Sequence, residues 1–161
     1  MESLKNLIQT LKALIDAHSR LLELAKEKRN VLIEGDVLKL QSLIPHENSC
    51  VEEIQSLELQ RKRLVQDYLN QKQLPLQSLT FEELIKMVDD QAVQSAGRIL
   101  TKQLRILIQE ISNLNESNQQ LIQTSLSYVQ YSIEMLVRKE PAIGYGPRAT
   151  NRYSHLLDAK V

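Results

Sequence analysis

Apolar positions recur along this chain at alternating three- and four-residue steps. Leu4, Leu7, Leu11, Leu14, His18, Leu21, Ala25 and Leu32 fall on one seam, with Lys28 its one polar interruption. That spacing predicts a coiled-coil-like helix over about 3–34. Ile8, Ile15 and Leu22 widen the seam into the broader apolar face of a packed bundle helix. Gly35 suits the left-handed position that ends a helix, and Asp36 is a natural N-cap for the next one. A second helix, over about 36–70, carries Leu40, Leu43, Cys50, Ile54, Leu57, Leu64 and Tyr68 at similar steps. The turn between the two is so short that they are expected to pack as antiparallel neighbours. Pro45 lies inside the second helix, where the missing N–H and the ring's clash with the preceding turn predict a kink or break.

The pattern lapses from Asn70 to Leu79 around Pro75, which reads as a connector. Thr80-Phe81-Glu82-Glu83 then has the form of a capping box, Thr80 being the cap and Glu83 reaching back. A short helix over about 80–89 follows, using Phe81, Leu84, Ile85 and Val88; Asp89-Asp90 either ends it or caps the next element. The last helix, over about 91–139, keeps heptad spacing through Leu100, Leu104, Leu107, Ile111, Leu114, Asn118, Leu121, Ser125, Tyr128, Ser132 and Met135. A helix of that span is roughly 70 Å long at ~1.5 Å per residue, so part of its surface is expected to lack intramolecular cover. Pro141, Gly144, Gly146 and Pro147 then cluster, and 141–161 reads as a tail that is disordered in isolation. The fold class expected is all-α: an elongated antiparallel helical bundle or coiled coil over 1–140, with one long C-terminal helix and a flexible tail.

Composition agrees with long helices, because Gly and Pro number only four each and Leu and Ile must supply most of the burial. Lys plus Arg balance Asp plus Glu at 20 each. A net charge of zero argues against nucleic acid as the main partner and against a polybasic membrane patch. No apolar run approaches the ~20 residues needed to span a bilayer, so no stable membrane insertion is expected. The N-terminus has no basic region followed by an apolar core, and the chain is expected to stay in the cytoplasm.

A search for catalysis finds no Gly-rich phosphate loop, nucleophile elbow or His/Glu metal spacing, so no enzyme, metal site or cofactor is expected. A di-iron site would need paired Glu-x-x-His motifs, which are absent. His18 on the first seam reads as a partly buried structural histidine, and Cys50 as a small hydrophobe on an inner helix face. Arg61-Lys62-Arg63 reads as a solvated helix face, with Glu58 and Asp67 nearby.

The informative segment is Ile111 to Ile133. It contains one charged residue, Glu116, although charged residues make up 25% of the chain. Exposed helix faces ordinarily carry Lys and Glu; here the polar positions are Asn, Gln, Ser and Thr. The apolar residues also exceed one stripe. Leu121 and Tyr128 continue the seam, while Ile122, Leu126, Val129, Ile133 and Leu136 form a second stripe at helical spacing. Three readings stay open on periodicity alone. The helix is the centre of its own bundle, with Asn118 fixing the register; or it makes a homodimer; or it offers a groove to a partner.

The stretch Leu114-Asn115-Glu116-Ser117-Asn118-Gln119-Gln120-Leu121-Ile122-Gln123-Thr124-Ser125-Leu126-Ser127-Tyr128-Val129 resembles the signature of FlgN-type proteins. The opening Leu21-Leu22-Glu23-Leu24-Ala25-Lys26-Glu27-Lys28, the Gly35-Asp36 turn, Tyr145-Gly146 and the closing Ser154 to Val161 are similar to the same family. The resemblance implies a cytoplasmic chaperone of flagellar type III export. Such a protein binds hook-associated (hook–filament junction) proteins, masks their assembly helices and delivers them to the export gate. On that view Leu121, Ile122, Leu126, Val129, Ile133 and Leu136 contact the client's amphipathic terminal helices, and Tyr145 contacts the export gate. The competing reading is a structural coiled-coil protein that only homodimerises.

Overall fold

The computed structural model describes residues 2–74 and 79–139. They form four helices, α1 (Glu2–Glu34), α2 (Val37–Gln71), α3 (Phe81–Lys86) and α4 (Gln91–Lys139), and among the described residues there is no strand. The protein is an all-α helical bundle. It divides into two units, Met1–Asn118 and Gln119–Val161, with α4 supplying helix to both.

In the first unit α1 and α2 are an antiparallel hairpin. Gly35 takes φ 72°, the left-handed conformation that costs glycine least. The N–H groups of Gly35 and Asp36 both return to Val31 O, at 2.9 and 3.2 Å, closing α1. Asp36 then caps α2 by accepting from Lys39 N at 3.0 Å. Cross-hairpin pairs fix the antiparallel register: Arg20 with Glu53 at 2.7 Å and the half-buried Lys28 with Glu47 at 3.0 Å.

α4 runs parallel to α1 in this unit. Leu104 packs with Leu11 and Leu14, and Asn118 bonds to Ala25. α1 therefore has neighbours on two sides, and it buries Thr10, Ala17 and Val31 besides its predicted seam. The second cluster joins Leu4 and Leu7 of α1, Tyr68 and Leu69 of α2, and Leu84 and Val88 from α3 and the turn after it. Phe81 touches both clusters from the start of α3. Arg61 lies with its guanidinium 6.0 Å from the Phe81 ring centroid while holding Glu58 at 2.8 Å.

Two sequence expectations need correction. Pro45 does not break α2, which continues through it. Pro45 is exposed, so solvent can take up the carbonyl its ring leaves without a donor. The third helix is shorter than 80–89: it spans Phe81–Lys86 and closes at Met87, whose N–H returns to Glu83 O and Leu84 O, and Val88 after it is buried. Asp90 then caps α4, accepting from Ala92 N at 2.9 Å and Val93 N at 3.2 Å, while Asp89 pairs with Lys72 at 3.2 Å. The tail expected over 141–161 lies outside the described residues.

Candidate functional site

The heptad seam of α4 changes character along its length. Leu104, Ile111 and Asn118 are buried, and Leu100, Leu107 and Leu114 are half-buried. Asn118, only 1% exposed, donates from Nδ2 to Ala25 O at 3.0 Å, while its Oδ1 has no partner among the described residues. Arg29 donates to the Ser117 hydroxyl beside it.

In the described part of the second unit, 119–139, the same seam is open. Leu121 is half-buried, Tyr128 is 71% exposed and Met135 is also exposed. Of the second stripe, Ile122 is half-buried, but Leu126 (57%), Val129 (51%), Ile133 (40%) and Leu136 (68%) are exposed. Tyr131 is exposed as well. The six candidate contact residues thus lie within about four and a half helical turns, and four of them present apolar side chains to solvent. Helical spacing puts Ile122, Leu126, Val129, Ile133 and Leu136 along one line. Few charges interrupt it: Ile111 to Ile133 holds only Glu116, and Glu134 and Arg138 follow. Such a surface does no covalent chemistry. It can bury another apolar face with little charge to desolvate. Tyr145 lies outside the described residues.

The remaining candidates have structural surroundings. His18 is buried with Nδ1 2.7 Å from Leu14 O, and Cys50 is buried on the inner face of α2. Among the described residues no group of three or more His, Cys, Asp or Glu could hold a metal. No described helix is long and apolar enough to cross a membrane.

Sequence periodicity missed two surface features. Ile33, Val37 and Leu38 are exposed around the Gly35 turn; they sit off the seam, and three apolar residues flanking a predicted turn were the available signal. A group of cations between α3 and α4 was also missed, because Lys86 joins Arg98, Lys102 and Arg105 only in the fold.

The uncharacterized protein YvyG of Bacillus subtilis (strain 168) is 26% identical over 143 residues, covering 89% of this chain and 86% of that protein. No solved structure matches. The family described as FlgN protein matches residues 1–152, so the chain belongs to the FlgN family, a family of flagellar export chaperones.

Proposed function

We propose that the protein is a cytoplasmic chaperone of flagellar type III export that binds hook-associated proteins through the final turns of α4. Leu121, Ile122, Leu126, Val129, Ile133 and Leu136 receive an amphipathic terminal helix of the client. Covering that helix prevents premature assembly, and mass action holds the client in its unassembled form. Tyr145 then engages the export gate, where the client is delivered. The observation that carries this reading is the exposure of Leu126, Val129, Ile133 and Leu136 on a charge-poor helix. Monomeric proteins rarely leave such a row of large apolar residues in water without a partner.

The test is light scattering behind size exclusion, on the protein alone and mixed with a hook–filament junction protein from the same cell. The expected result is a discrete complex. Leu126→Ala should weaken it about tenfold, as expected for ~1–2 kcal/mol of lost apolar burial. Leu126→Asp or Ile133→Asp should abolish it while the free protein keeps its helicity. A robust homodimer with no affinity for the client would instead support a self-associating coiled coil.

A further inference from the structure

α3 and the start of α4 form a short antiparallel pair inside the Met1–Asn118 unit. Their close approach depends on Gly97, which is buried: a Cβ there would lie 2.5 Å from Ile85 Cδ1 and 3.2 Å from Ile85 Cγ1. Alongside that contact runs an open trough of about 470 Å³, lined by Ile85 and Lys86 on α3 and by Arg98, Lys102 and Arg105 on α4. Glu82 is the one carboxylate in its lining and is held by Arg105 at 2.7 Å. Among the described residues no carboxylate lies within ion-pair distance of Lys86, Arg98 or Lys102. The chain as a whole is neutral, so this is a local concentration of positive charge above an apolar floor.

We infer that this trough docks an acidic amphipathic helix of a partner protein, with carboxylates against the cations and an apolar edge on the floor. Arg98, Lys102 and Arg105 stand at i, i+4 and i+7 of one helix, so the charges are spread about 10 Å along its axis. Carboxylates at i, i+4 and i+7 of a second helix have the same spacing. A small anion needs donors converging on one point, whereas cations spread along a helix axis match a row of carboxylates. The lining is more apolar than polar, with the methylene stems of Lys and Arg beside Thr101 and the almost fully buried Ile85, so it suits a helix carrying Leu or Ile rather than a bare polyanion. None of these residues belongs to the stripe from Leu121 to Leu136, so occupation of the trough does not require the client surface.

The probe is a fluorescein-labelled synthetic 18-residue helical peptide with Glu at i, i+4 and i+7 and Leu along the adjacent edge. It is titrated into the full chain by anisotropy and by amide NMR. Saturable binding is expected, with shifts centred on Ile85, Gly97 and Thr101, and steep weakening by salt. Arg98→Glu with Lys102→Glu should lower affinity at least tenfold, with helicity unchanged by circular dichroism; Leu126→Asp should leave it unaltered. Should the charge reversal unfold the chain, Arg98→Gln with Lys102→Gln serves the same purpose. The inference is overturned if a peptide with Gln in place of every Leu, or heparin, binds equally well. It is also overturned if the shifts centre on Arg61–Arg63, or if binding does not saturate.

Discussion

Asn118 on α4 donates its amide to the carbonyl oxygen of Ala25 on α1 at 3.0 Å, yet its own carbonyl oxygen is buried with no partner among the described residues. Ala25 O also lies within a helix, where it has a backbone donor available, so the bond from Asn118 is an addition rather than a rescue. The unpaired Oδ1 costs about 1–3 kcal/mol, against ~1 kcal/mol gained from the donated bond. Asn118→Leu should therefore raise the urea midpoint, by about 1 kcal/mol of stability. It should also loosen the α1–α4 register, because the seam becomes uniformly apolar. Spin labels on α1 and on α4 before position 118 would read this as a broadened distance distribution. Asn118→Asp should cost about 3 kcal/mol at pH 7. Burial raises the carboxyl's folded-state pKa, so that loss should recede as pH falls toward the unfolded value.

Gly97→Ala sets two effects against each other. Alanine favours the helix by about 1 kcal/mol over glycine. The added methyl meets Ile85, which is itself only 2% exposed and cannot withdraw freely. Overpacking costs about 1–3 kcal/mol, so a net loss of up to ~2 kcal/mol is expected, measured by chemical denaturation. A gain in stability would mean that α3 can back away from α4.

Leu14 is fully buried where α1 meets α4. Leu14→Ala should cost about 3 kcal/mol, and Leu126→Ala less than about 0.5 kcal/mol, in the protein free of any partner. Parallel thermal melts separate the two; similar losses would mean that Leu126 is packed.

Glu83 accepts from the Thr80 N–H at 2.8 Å, which lowers its pKa below the ordinary 4.5. Asp36 is likewise lowered, by its bond from the Lys39 N–H. A lowered folded-state pKa gives stability that is present above the unfolded value and lost as pH falls through the folded one. Acid titration of stability below pH 4.5 should therefore flatten in Glu83→Gln and Asp36→Asn. Variants that keep the wild-type slope would show that neither cap contributes.

Much of this fold was legible because its signals are local. Thr80 with Glu83, Gly35 with Asp36, and the leucine steps of α1 each act within one or two turns. What was not legible depends on neighbours. Thr10, Ala17 and Val31 lie seven or fourteen residues apart and form a second buried seam on α1, which small and polar side chains disguise. Glu47 and Arg61 occupy seam positions of α2 and look like interruptions until Lys28 and Glu58 are seen to neutralise them. Five of the six candidate client residues stood out as a second stripe and Leu121 as part of the seam, but periodicity could not tell a covered stripe from an exposed one. The trough between α3 and α4 needed the fold, since Lys86 and Arg98 share no helix.

The scarcity of charge from Ile111 to Ile133 has a thermodynamic consequence. A surface that binds by removing apolar groups from water should associate with a large negative heat-capacity change and weaken on cooling. Ionic strength should barely affect it. The cation-lined trough, which also buries an apolar edge, should share that temperature response but add a steep dependence on salt. Calorimetry at two temperatures and two salt concentrations would therefore tell which of the two surfaces any given partner occupies, before a single residue is changed.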